Sequence, residues 1–89
     1  MSKVYVFLAQ GFEEIEALTV VDLLRRAKID VSTVSITAEH AVTGSHRIPV
    51  TADLAIGEAD FAACDMIVLP GGIPGTPNLE ASAPLMAAL

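Results

Sequence analysis

Val4-Tyr5-Val6-Phe7-Leu8-Ala9-Gln10-Gly11-Phe12-Glu13-Glu14-Ile15-Glu16 is the stretch that decides the fold. Its first six residues are β-branched, aromatic or aliphatic without a polar alternate. That is the pattern of a strand covered on both faces, in the middle of a parallel sheet. Gln10-Gly11-Phe12 reads as a turn, and Glu13 and Glu14 follow where a helix N-terminus favours negative charge. The apolar spacing then predicts a helix from about Glu13 to Ala27, with the basic pair Arg25-Arg26 near its end.

Outward from this unit the chain keeps alternating. Val31 to Ile36 reads as a second strand. Ala41 to Val50 reads as a short β excursion around Gly44-Ser45, with Pro49 restricting it to an edge. Leu54 to Ala63 is ambiguous and suggests one irregular helical turn. Met66-Ile67-Val68-Leu69 is another buried strand, stopped by Pro70-Gly71-Gly72, and Ile73 to Asn78 reads as a loop. Ser82 is placed to cap a last helix, with Pro84 in its first turn. The order predicts an α/β fold with a parallel sheet and right-handed crossovers. At least one further strand is expected beyond Leu89 to complete the sheet.

Composition limits the function. Hydrophobic residues make up 53% of 89 positions and the mean hydropathy is +0.59, rich for a domain with so large a surface share. No run approaches the roughly 20 apolar residues of a spanning helix, and no small-residue cleavage site follows the run after Met1-Ser2-Lys3, so neither a signal peptide nor a membrane is expected. The expected cover is a second segment, a second subunit, or both. A net charge of −6 with five basic residues argues against a nucleic-acid partner. One cysteine, Cys64, permits neither an internal disulfide nor a CxxC metal or redox motif and fits a reducing cytoplasm.

At roughly 3.6 residues per turn, Glu16, Val20, Leu23 and Ala27 share one side of the first helix, with Leu24 close by. This is the face expected to pack on the sheet. It would carry the Glu16 carboxylate inward, as a candidate acid/base or hydrogen-bonding group; the plainer reading is a solvated acid of a first helical turn. Glu13 and Glu14 are read as dipole-matching acids. The opposite side carries Ile15, Leu18, Asp22 and Arg25, a candidate two-fold interface in which Asp22 of one copy meets Arg25 or Arg26 of the other. The alternative is an intrahelical Asp22–Arg26 pair. Gly71-Gly72 ends a buried strand, where open α/β sheets bind ligands, and could aim backbone N–H groups at an oxyanion, or be a tight turn and nothing more. Neither a phosphate loop nor a dinucleotide fingerprint is present. Cys64 reads as a small packed residue, and His40 and His46 as surface residues, with no metal site expected.

Several stretches, taken in order, resemble one family. Ala9 to Glu16 is similar to its A-x-G-x-E-E-x-E signature, Val21-Asp22-Leu23-Leu24-Arg25-Arg26-Ala27 to its V-D-x-x-R-R-A/G helix, and Asp65 to Gly72 to its D-x-[IV]-[VI]-L-P-G-G strand and turn. Pro49-Val50-Thr51-Ala52-Asp53 and Asn78-Leu79 fall where the pattern puts them. The chain thus resembles the N-terminal half of a ThiJ/PfpI domain, in the class I glutamine amidotransferase-like superfamily and nearest the branch of the parkinsonism-associated deglycase.

The resemblance implies a flavodoxin-like α/β sandwich of about twice this length, of which residues 1–89 form the N-terminal portion, and usually a homodimer. It implies no cofactor, and a nucleophilic cysteine on a strand-to-helix turn beyond residue 89, hydrogen-bonded by the glutamate matching Glu16. It also implies backbone N–H groups near that cysteine from the turn matching Gly71 and Gly72, and a dimer seam near Arg26 and Arg47. The A-x-C-A/H-G nucleophile segment is absent, and Cys64 does not occupy its position. The implied activity is a hydrolase or lyase acting on methylglyoxal or on its adducts with protein amines and thiols, inert in this segment alone. The alternatives are a redox-sensing or chaperone-like stress protein with a protein client, and a non-catalytic binding domain.

Overall fold

In a computed structural model the described residues are 3–89. β1 (Lys3–Leu8) lies inside a four-stranded sheet completed by β2 (Asp30–Ser35), β5 (Leu54–Ala55) and β6 (Met66–Val68), in the order β5-β2-β1-β6. All three pairings are parallel, with Val4 opposite Val31 on one side and Met66 on the other. From β1 the chain builds to one side through β2 and β5, then returns to the other side with β6. The strand order therefore reverses between β1 and β6, the position at which such sheets open a crevice beyond their carboxyl ends.

The unbroken apolar run of β1 serves two cores. Val4, Val6 and Leu8 pack with Phe12, Ala17, Val21 and Val31 beneath α1 (Glu14–Arg26). Tyr5, Phe7 and Ala9 pack on the opposite face with Val34, Leu79 and Leu85, beneath α2 (Gly75–Glu80) and α3 (Ala83–Ala88). Phe7 and Phe12 are fully buried, each worth about 1.5–3 kcal/mol of apolar burial. Phe61 stacks on Phe7 at 5.8 Å and closes that second core.

α1 ends in a hydrogen-bonded cap. Lys28 N–H donates to Arg25 O at 3.1 Å and Ile29 N–H to Leu24 O at 3.0 Å, the paired bonds of a Schellman motif. The left-handed position is filled by Lys28, at φ 65°, where glycine is the residue without steric cost.

Three expectations are corrected. Residues 54–63 are not one helical turn: Leu54–Ala55 joins the sheet as β5, and two 3₁₀ turns follow at Ile56–Glu58 and Phe61–Ala63. The segment read as a loop contains α2, whose Gly75 and Leu79 are buried; its glycine and two prolines hid it. The face of α1 that packs on the sheet is Glu14, Ala17 and Val21, flanked by Val20 and Leu24, so Leu23 and Glu16 are exposed. The excursion is the expected hairpin, β3 (Ala41–Thr43) antiparallel to β4 (Pro49–Thr51), and Ser82 accepts from Leu85 N–H at the start of α3.

Candidate functional site

The crevice between β1 and β6 is built from two turns clamped together. Glu13 N–H donates to Gly71 O at 2.9 Å, Gly75 N–H to Gly11 O at 3.1 Å and Asn78 Nδ2 to Gln10 O at 2.8 Å. Two glycines make the fit possible. Gly11, at φ 84°, has the Pro74 ring where a Cβ would project, and a Cβ on Gly72, at φ 107°, would lie 2.7 Å from Glu13 N. Both positions demand a left-handed backbone without a side chain.

Glu16 reaches this clamp from outside the core. Its side chain is exposed, yet Oε1 accepts from Gly71 N–H at 2.9 Å. The carboxylate therefore does not face inward along the packed side of α1, but it does sit beside the glycine turn. With Gly71 N–H occupied, Gly72 N–H is the donor of the pair left without a hydrogen bond among the described residues. Glu16 also lines an open groove of about 400 Å³ between Ile15, Thr19 and Val20 of α1 and Val68, Leu69 and Pro70 at the end of β6. β6 is the sheet's outer strand on this side, with Met66 56% and Leu69 44% exposed.

The proposed interface residues are divided. Ile15 is 74% exposed; Leu18 is half-buried, and Asp22, Arg26 and Arg47 are exposed. Asp22 pairs with Arg26 within the helix at 3.1 Å, the alternative left open by the spacing. Arg25 turns to Asp53 at 2.7 Å and to Val31 O at 3.3 Å. Arg47, at φ 65°, closes the hairpin turn through its N–H to Gly44 O.

Glu14 and His46 are the largest surprise. Glu14 is buried at 4% exposure. Its Oε2 accepts from His46 N–H at 2.7 Å and Ile48 N–H at 3.4 Å, and its Oε1 from Ser45 Oγ at 3.4 Å, with His46 Nδ1 at 2.8 Å. Burial pushes this carboxyl up, but the His46 side chain and the backbone N–H groups of Glu14, His46 and Ile48 outweigh it and hold the pKa near about 2. The hydrogen bond to Glu14, and the charges of Glu14 and Glu13, raise His46. His46 is thus not an isolated surface residue, and Glu14 is not merely a dipole-matching acid. Glu13 is the N-cap, accepting from Ile15 N–H at 2.7 Å. The 32 positions between Glu14 and His46 left no local spacing that could have revealed the pair. His40 likewise pairs with Glu58 at 2.6 Å. Cys64 is half-buried at the opposite end of β6, its Sγ 3.1 Å from Met66 O.

Among the described residues no helix is long and apolar enough to cross a membrane. The family model described as the DJ-1/PfpI family matches residues 2–89. The chain is 36% identical over 83 residues to protein DJ-1 homolog B of Arabidopsis thaliana, covering 93% of this chain and 19% of that protein. It is 35% identical over 78 residues to the Parkinson disease protein 7 homolog of Danio rerio, covering 86% and 41%. Among solved structures, the cysteine-to-alanine mutant of a DJ-1 superfamily protein from Salmonella typhimurium superposes with a TM-score of 0.94 at 45% identity, over 99% of this chain and 48% of that one. Oxidized DJ-1 of Toxoplasma gondii superposes at 0.93 with 38% identity, over the same shares. The chain therefore spans about half the length of these structures and less of the curated relatives.

Proposed function

The chain belongs to the DJ-1/PfpI family, and from that premise we propose that residues 3–89 supply the carboxylate and the anion-binding turn of a cysteine-dependent site. The thiol is contributed by polypeptide outside these 89 residues and lodges in the groove along β6. The observation that carries this reading is the Glu16–Gly71 hydrogen bond of 2.9 Å at the point where the strand order reverses. It holds a carboxylate on the wall of the groove, next in sequence to the Gly72 N–H, which has no acceptor among the described residues.

Such a site suits attack on a small dicarbonyl such as methylglyoxal, or on its adducts with protein amines and thiols. The sulfur bonds to the carbonyl carbon, and the π electron pair moves to oxygen. Gly72 N–H receives the resulting oxyanion, and Glu16 moves the thiol proton. No cofactor takes part. The working unit is a homodimer in the cytoplasm, with Ile15, Leu18, Asp22, Arg26 and Arg47 at the seam. Arg25, engaged with Asp53, contributes to the seam only at its margin. The test is Glu16→Gln in a protein carrying the whole domain. Turnover of methylglyoxal is expected to fall by roughly a hundredfold or more. Stability is expected to change by no more than the ~1 kcal/mol of one hydrogen bond. An unchanged rate removes Glu16 from the chemistry.

A redox-sensing reading, with a protein client in place of the dicarbonyl, is favoured by one observation. The Toxoplasma gondii neighbour is described in an oxidized form. Peroxide titration followed by mass analysis separates the two readings: stoichiometric oxidation without dicarbonyl turnover selects the sensor.

A further inference from the structure

At the start of α1, where it meets the hairpin, Glu13, Glu14 and His46 bring three ligand-type atoms within 4.8 Å of one another. Two come from the first turn of the helix and one from the β3–β4 hairpin. We propose that these side chains form a binding site for a divalent cation of the zinc type.

The geometry carries the proposal. A tetrahedral zinc ion with bonds of 2.0–2.1 Å to N and O sets its ligands about 3.3 Å apart. Here His46 Nδ1 lies 2.8 Å from Glu14 Oε1 and 3.7 Å from Glu13 Oε2. Ser45 Oγ lies 3.4 Å from Glu14 Oε1 and 3.2 Å from His46 Nδ1. These separations bracket the tetrahedral edge, and the ligand atoms of Glu13, Glu14 and His46 all lie within 4.8 Å of one another, so side-chain adjustment is what would bring them onto one ion. Glu14 is also held as an oriented ligand would be. Its Oε2 is fixed by two backbone N–H groups, which leaves Oε1 turned toward the imidazole. Two carboxylates and one imidazole nitrogen select zinc, copper or nickel over magnesium or calcium, which prefer oxygen alone. His40 provides an internal contrast, since its imidazole has one carboxylate partner, Glu58. Among the described residues no other group of three meets the same distance limit.

Isothermal titration of the purified chain with Zn²⁺ tests the site directly, and its readout does not depend on a thiol or on turnover. A cysteine-free C64S protein serves as the background. One equivalent of Zn²⁺ is expected to bind, with no binding of Mg²⁺. H46N is expected to weaken affinity at least about tenfold, E13Q to weaken it several-fold, and H40N to leave it unchanged. H46N and E13Q are chosen because Glu14 is buried and its replacement compromises folding. Chemical shifts of the His46 ring in the saturated protein should move while those of His40 stay. Absence of one-to-one binding, or equal affinity in H46N and the parent, overturns the proposal and leaves the cluster as a proton-mediated tie between hairpin and helix.

Discussion

Glu14 and Glu16 stand two residues apart on the same helical turn and have opposite characters. Glu14 is buried and surrounded by partners from the hairpin. Glu16 is exposed and holds a single N–H, that of Gly71. A two-residue step turns a helix by roughly 200°, so one acid is carried into the seam with the hairpin and the other onto the rim of the β1–β6 crevice. The comparison teaches that the carboxylate with several donors ties the hairpin to the helix, and keeps only Oε1 for the cluster with His46. The one with spare acceptor capacity is available for chemistry, because an incoming group finds its lone pairs free.

The sharpest way to break the contrast is Glu14→Ala. It removes the partner of four hairpin groups and leaves His46 N–H and Ile48 N–H without their acceptor. It should cause the largest fall in melting temperature of any substitution on this turn, and make hydrogen exchange at His46 and Ile48 roughly a hundredfold faster. An unchanged exchange pattern would mean that the hairpin is held by other contacts. Next in size is Gly72→Ala on the other flank. Its new Cβ would press on Glu13 N in a backbone region closed to alanine, at a cost of about 2 kcal/mol in urea unfolding. A smaller loss would show that the two turns can part.

Asp53 asks whether burial or the number of donors makes a carboxylate structural. It is 44% exposed at the side chain, yet it accepts from Thr33 N–H, Thr33 Oγ1 and Arg25. Burial raises its pKa, but the Thr33 backbone bond and the Arg25 charge prevail, and it lies below the ordinary 3.8. With the folded value depressed, its contribution is complete above that ordinary value and is lost as pH falls through the folded one. Asp53→Asn should therefore flatten the stability curve on the acid side of the ordinary value of 3.8. A parallel curve would make donor count irrelevant at this exposure. The smallest effect belongs to the far end of the helix, where Lys28→Gly relieves the left-handed backbone. It should stabilise the fold by about 0.5–1 kcal/mol, read as a higher denaturation midpoint.

The sequence made the sheet readable where side-chain pattern and backbone need coincide. The apolar run of β1 admits one reading because both faces are covered, and Gly71-Gly72 announces a turn because few other residues tolerate its backbone. What stayed hidden depends on contacts between distant positions. The packed face of α1 was misplaced by one helical step because Leu23 resembles a core residue and Glu14 does not. The hairpin, 31 to 34 positions away, supplies most of the donors that let Glu14 go inside. β5 is two residues long and is defined by pairing with Val34 and Ser35, so no periodicity could mark it. Glu16 is legible from helical spacing and again from the motif, but the spacing turns it inward, and its hydrogen bond to Gly71 N–H from an exposed position is a fact of three dimensions.

The outer border of β6 has a practical meaning. A strand whose main chain faces solvent, with Met66 and Leu69 bare beside it, is a template on which another polypeptide can add itself. In the proposed function, that other polypeptide is the one that supplies the thiol, and a strand of it laid along β6 would cover both side chains. A charged residue at Met66 should therefore loosen that seating in a protein carrying the whole domain, read as a lower unfolding midpoint.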